Sequence, residues 1–237
     1  MTQKELYIKY WKILDHLEDS VRGEFRDHHP EPSQFPEMRL EKKDLPEKRT
    51  GTPSSVDFSL SENCGRCPLS RQKKVPVPGI GSLKPLVMVV LDPPDHNAEK
   101  EGLPCIPSVR DFMDKWFESI RLNPAEDVYY TSVVKCRAPG NRPPFPDEAG
   151  RCLRSLEKEL DDLKPKALFA AGEIAGKLLT GLDLPVPELR KTTHRFRDFF
   201  TLVTFPPGDV LVNPQLKRPV WEDLKNLRNW LDEFGVS

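Results

Sequence analysis

The residues best suited to chemistry in this chain are its cysteines. Cys64 and Cys67 form a C-G-R-C pair, Cys136 and Cys152 follow as C-x15-C, and Cys105 stands apart. A C-x2-C turn curls so that two thiolates face one metal while backbone N–H groups point at the sulfurs. A structural zinc site is ordinarily completed by a second close pair. None is present here, and His16, His28, His29, His96 and His194 show no ligand spacing beside a cysteine. Four thiolates at uneven spacing, one of them followed by Pro68, suit a [4Fe–4S] cluster better than zinc, and zinc better than no metal. Cys136 could also be read as a small buried apolar residue; its place between Lys135 and Arg137 argues against that.

The rest of the sequence limits where such chemistry could operate. The chain has 237 residues and a net charge of −1. Residues 1–60 carry 10 Lys+Arg against 12 Asp+Glu, and the remainder 26 against 25, so neither part is a basic arm. Contact with nucleic acid must then come from local patches. The opening "MTQKELYIKYWK" has no apolar h-region, and the longest apolar run, "LVMVVL", is too short to cross a bilayer. These features predict a cytoplasmic, monomeric protein with no membrane partner. In that reducing setting, cysteines serve metals or catalysis more than disulfides.

The elements that must position the cysteines are legible in the periodicity. Residues 1–27 read as an amphipathic helix, with Leu6, Tyr7, Tyr10, Trp11, Leu14, Leu17 and Val21 on one face. Residues 28–60, with Pro30, Pro32, Pro36, Pro46 and Pro53, read as a Pro-rich linker. Residues 61–237 form the third region. There, apolar runs at 86–91, 128–134, 167–171 and 199–205 alternate with helical patterns near 107–120, 148–163 and 173–180, and another helix is expected near 219–234. That alternation predicts an α/β domain with a central, mainly parallel four-stranded sheet covered on both faces. In such sheets sites form at the C-terminal ends of strands. Here those ends read Leu91-Asp92-Pro93-Pro94, Val134-Lys135-Cys136 and Thr204-Phe205-Pro206-Pro207.

Several of these strings resemble the iron–sulfur, or family 4, uracil-DNA glycosylases. "ENCGRCPLS" is similar to that family's first cysteine pair and "VPVPGIGSLKPLVMVVLDPP" to its glycine turn and first strand. "VYYTSVVKCRAPGNRPP" with "DEAGRC" resembles its K-C-R-x-P-x-N-R segment and last cysteine, and "RPVWEDLKNL" its final helix. The resemblance runs from about residue 62 to 228. It implies a three-layer α/β/α sandwich and a [4Fe–4S] cluster on Cys64, Cys67, Cys136 and Cys152, stapling DNA-facing loops. By the same resemblance Cys105 is not a ligand.

The departures fall in the pocket. Where the family has a G-E-x-P-G type motif, this chain has Leu91-Asp92-Pro93-Pro94-Asp95, so the acid is a shorter Asp92 and Pro94 stiffens the turn. Cys105 stands where a phenylalanine would stack on uracil, Ser132 where an asparagine would read its edge, and Phe205 where a histidine would serve the leaving base. Phe205 cannot donate a hydrogen bond, and Ser132 has one hydroxyl where an amide could make two contacts. Only Asp92 could still orient a water; its other reading is a turn residue that caps a neighbouring element. Loss of one donor of this kind costs about 2.7–4 kcal/mol in other enzymes.

The residues support three readings. In the first, a cluster protein of this fold binds nucleic acid with uracil excision lost or strongly reduced. In the second, an active glycosylase removes uracil or another deaminated base using Asp92. In the third, a metal-stabilised module binds an unidentified protein partner. On the first, Lys135, Arg137, Asn141, Arg142, Lys217 and Arg218 are the candidate contacts to DNA, single- or double-stranded, with RNA as a second partner. Lys73 and Lys74, and the cluster Arg190, Lys191, Arg195 and Arg197, are further basic groups, and Phe145 and Phe205 are candidate stacking wedges.

Overall fold

The computed structural model describes Cys64, residues 67–69 and residues 76–235. The expected helix over 1–27 and linker over 28–60, like Lys73 and Lys74, lie outside the described residues. The strands are β1 (Ile80–Gly81), β2 (Val87–Leu91), β3 (Val128–Ser132), β4 (Ala167–Ala171), β5 (His194–Phe196) and β6 (Phe199–Thr204). The helices are α1 (His96–Glu101), α2 (Pro107–Ser119), α3 (Pro124–Asp127), α4 (Pro146–Leu163), α5 (Glu173–Thr180), α6 (Val186–Leu189), α7 (Pro207–Val212) and α8 (Lys217–Glu233), with 3-10 turns at Pro139–Asn141 and Pro214–Leu216.

The strand order is β1-β3-β2-β4-β6-β5. The four expected strands are the parallel centre, β3-β2-β4-β6. Two short antiparallel edge strands, β1 on β3 and β5 on β6, extend the sheet to six. They span two and three residues, too few to carry a readable alternation. β2, β3 and β4 are buried at every position and β6 at all but its first, which is why they read as continuous apolar runs.

Alternation along each strand splits the core into two layers. Val87, Val89, Tyr130, Phe169 and Leu202 face Met113 and Phe117 of α2 and Leu224 and Leu227 of α8. Met88, Val90, Tyr129, Leu168 and Val203 face Leu156 and Leu160 of α4, Leu179 of α5 and Leu189 of α6. The result is an α/β/α sandwich. Among the described residues no helix is long and apolar enough to cross a membrane.

From β2 the chain crosses outward to β3, then returns past β2 to β4. The gap between β2 and β4 is therefore the switch point, where such sheets open a crevice at their carboxyl ends. Leu91 pairs with Ser132 on one side and Ala171 on the other, and Ala171 pairs with Thr204. This register puts Asp92, Ser132, Gly172 and Phe205 along one edge of the sheet.

A buried network fixes the last of these strand ends. The Thr204 hydroxyl donates to Asp223 Oδ2 at 2.7 Å. Arg190 donates to the two Asp223 oxygens at 3.1 and 2.8 Å and to the Pro219 carbonyl at 2.7 Å. Asp223 thus ties α8 and the residue after α6 to the end of β6. Replacing Asp223 by Ala leaves the buried Thr204 hydroxyl without its acceptor and the part-buried Arg190 guanidinium without its carboxylate. Asp223→Ala should lose about 3–5 kcal/mol in urea unfolding, and Asp223→Asn, which keeps one acceptor, less.

Candidate active site

Asp92 meets the N-terminus of α5 from across the switch point. Its Oδ1 accepts the Ala175 N–H at 2.8 Å, and the amides of Ile174 and Glu173 also point at the carboxylate. The helix has no side-chain cap of its own, because its N-cap is Gly172. That glycine has φ 154°, and a Cβ there would lie 2.3 Å from Asp92 Cγ. Only glycine lets the carboxylate reach the helix end, so Asp92 supplies the missing cap. Burial pushes its carboxyl up to about 6, against the downward pull of the three amides, while the charge of Glu173 adds to the rise.

The other pocket positions are less polar. Ser132 is buried and its hydroxyl has no hydrogen-bond partner. Cys105 is buried in the α2 side of the core with Tyr130, and burial holds its thiol up at about 12, so it is not a nucleophile at neutral pH. Pro94 is buried. Phe205 is half-buried against both core layers, with the Arg190 guanidinium 5.8 Å from its ring centroid. The edge therefore offers one carboxylate already bound by amides, one unpartnered hydroxyl and one aromatic ring.

Most of the predicted phosphate contacts have partners within the protein, and one of them, Lys135, is turned inward. Lys135 is almost completely buried: its ammonium donates to Glu159 Oε1 and Oε2 at 2.7 and 2.8 Å and to the Thr131 hydroxyl. Thr131 donates to Glu159 in turn, at 2.8 Å. Desolvation requires such a lysine to be paired, so it is a core ion pair and not a surface cation. Arg142 turns its fork onto Glu148, at 2.8 Å for each bond, and gives a third bond to the Pro143 carbonyl. Arg137 pairs with Glu99 at 2.7 Å and donates to Asn141 Oδ1 at 3.0 Å. Arg190 belongs to the Asp223 network, Lys191 pairs with Glu188, and Arg197 with Asp161. Lys217 and Arg218 remain outward at the start of α8, with Arg218 only 3.6 Å from Glu222. Sequence counting found these cations but not the partners, Glu148, Glu159 and Asp223, which lie 6 to 33 residues away.

The four cysteines of interest lie on the α4 side of the sheet. Cys67 and Cys136 share one buried cluster, and Cys152 of α4 packs against it. The Lys135 N–H donates to Cys152 Sγ at 3.2 Å, and Cys64 and Cys67 are near enough for their charge to bear on Cys152. All are free of disulfides. Among the described residues, no three His, Cys, Asp or Glu side chains converge on an ion-sized point.

Fold and site define an α/β/α domain with a crevice at a switch point and a cysteine group beside it. Residues 78–225 match the family model for the uracil DNA glycosylase superfamily, and the chain belongs to that superfamily. It is 35% identical to a type-4 uracil-DNA glycosylase of Pyrobaculum aerophilum, over 70% of this chain and 88% of the relative. It is 28% identical to that of Archaeoglobus fulgidus (73% and 92%) and 26% identical to that of Thermotoga maritima (73% and 92%).

Two expectations test these assignments. Lys135→Met should cost about 3–5 kcal/mol by stranding Glu159, and Lys135→Met with Glu159→Leu should recover most of it in urea titrations. For Asp92, the folded carboxyl sits near 6 against an ordinary value of 3.8. Its stabilising contribution is therefore full below about pH 4 and is lost as pH rises through 6. Asp92→Asn keeps the acceptor without the charge, so its stability relative to the parent should rise between about pH 4 and about pH 6.

Proposed function

We propose that this chain is a nucleic-acid-binding member of its superfamily in which uracil excision is lost or strongly reduced. The observation that carries this is the Asp92 carboxylate, bound by the amides at the start of α5 at a sheet edge where residue 205 is a phenylalanine. Stabilising a departing base anion needs donors aimed at its oxygen. Ser132 holds a single unpartnered hydroxyl, and Phe205 holds none. DNA is the partner because the relatives are named for action on it; RNA is the second nucleic acid to test.

Cys64, Cys67, Cys136 and Cys152 would hold a [4Fe–4S] cluster, with zinc as the alternative. The grouping of Cys67, Cys136 and Cys152 in one buried cluster, the N–H donated to Cys152 and the nearness of Cys64 to it fit thiolate ligands. The group would supply cross-linking, tying Cys64 and Cys67 to the loop after β3 and to α4. The protein's own part is the Lys135–Glu159 pair, which fixes that loop against α4 from within.

A second reading has its own support. A carboxyl near pKa 6 is poised for proton transfer close to neutral pH, and the relatives carry a glycosylase name. In that reading Asp92 orients the water and the enzyme removes uracil or another deaminated base.

One assay separates the two. Anaerobically purified protein, its iron and sulfide measured, is incubated with uracil-containing oligonucleotides, single- and double-stranded, and alkali-labile sites are scored. Little cleavage, unchanged in Asp92→Asn, is expected. Cleavage that falls at least a hundredfold in Asp92→Asn and Asp92→Ala would establish the second reading instead.

A further inference from the structure

The loop between Cys136 and α4 ends in an aromatic residue that the fold does not use. Phe145 is 55% exposed and belongs to neither core layer. It is nonetheless held firmly. Pro143, Pro144 and Pro146 surround it, its backbone is extended at φ −69° and ψ 156°, and its N–H donates to Glu148 Oε2 at 2.7 Å. The Arg142 guanidinium lies over the ring, 3.7 Å from its centroid, and is fixed in turn by both oxygens of the same Glu148. One buried carboxylate thus orders a stacked Arg–Phe pair, so little side-chain freedom remains to be lost when a partner arrives.

A second observation lies one turn along α4. Gly150 is exposed, inside an 18-residue helix, and a Cβ placed on it would meet nothing within 4 Å among the described residues. Glycine disfavours a helix interior relative to alanine, and neither packing among the described residues nor backbone conformation requires it here. An outside group that approaches the helix backbone closely would. Gly150 shares its face, at i, i+3, i+4 and i+7 spacing, with Asp147, Arg151 and Arg154, all exposed.

We propose that Phe145 and the Gly150 face of α4 bind a single strand of nucleic acid, one unpaired base stacking on the Phe145 ring and the adjoining phosphates passing over Gly150 toward Arg151 and Arg154. This rests on the nucleic-acid-binding reading and adds to it a place and a strand preference. The ring offers its π-face to any base, so the surface selects for unpaired strand and not for sequence. A duplex keeps its bases in the stack and cannot use it.

The test is fluorescence anisotropy of the full chain, cluster-loaded, with a labelled single-stranded oligonucleotide of mixed sequence and with its duplex, across a salt series. Phe145→Ala should weaken single-strand binding about tenfold or more, leave duplex binding unchanged, and leave the slope of log K against log salt unchanged, since no charge is removed. Phe145→Trp should restore binding. Gly150→Leu should raise the melting temperature yet weaken single-strand binding, and Arg151→Ala with Arg154→Ala should flatten the salt slope. If the parent binds both oligonucleotides and Phe145→Ala and Gly150→Leu match it, the proposal fails while the nucleic-acid reading stands. If the parent binds neither, both fail.

Discussion

The arrangement of this site depends on one contact between distant parts of the chain, the Asp92 carboxylate on the N-terminus of α5. It closes the switch point of the sheet, where the connections after two parallel strands leave in opposite directions and α5 has no side-chain cap of its own. Gly172 makes the approach sterically possible, and Asp92 makes the helix end electrostatically acceptable. The two residues are interdependent: with any larger residue at 172 the carboxylate is displaced, and without the carboxylate the amides of a buried helix end lack an acceptor. Any catalytic use of Asp92 must compete with this structural one. A carboxylate occupied by backbone amides is a weaker acceptor for a water proton.

The basic residues obey a similar rule. Lys135, Arg142 and Arg190 each face a carboxylate that is itself nearly inaccessible, Glu159, Glu148 and Asp223. A buried acid without its cation is costly, so these pairs lock loops to helices and contribute position more than net stability. The loop after β3 is held at its start by Lys135 on α4, and at its end by Arg142 on the first turn of α4. Between those anchors stand Cys136 and the Pro-rich turn, and Cys152 lies two turns into the same helix. Two of the four cysteines, Cys136 and Cys152, and the Phe145 ring are therefore carried on one braced segment.

The parts of this architecture that were readable from sequence were those with local signatures. Runs such as "LVMVVL" and "ALFAA" are fully buried strands because both sheet faces are covered, and the long helices carried their periodicity openly. The cysteine spacing and the changes at residues 92, 105, 132 and 205 were likewise visible as residue types. What was hidden was pairing at a distance. Nothing near Lys135 announces that Glu159, on the next helix, will neutralise it, so a buried ion pair read as a surface cation. Nothing near Asp92 names Ala175, 83 residues on, as its donor. The edge strands and one-turn helices were hidden for another reason: two to six residues are too few to express a period.

The same distinction bears on how a fold can outlast one reaction. The groups that shape the crevice here, Gly172, Thr204, Asp223 and the strand register, are all engaged in holding elements together, and they tolerate little change. Ser132 and Phe205 stand at the strand ends without such a tie, and Cys105 is packed in the core on the α2 side. Ser132 shows the difference most plainly: its hydroxyl is buried yet bonds to nothing among the described residues, and a buried polar atom of that kind costs stability. On the reading proposed above, the crevice would lack the donors suited to a uracil anion without being wholly apolar. Ser132 ends the strand whose following loop carries Phe145 into the first turn of α4.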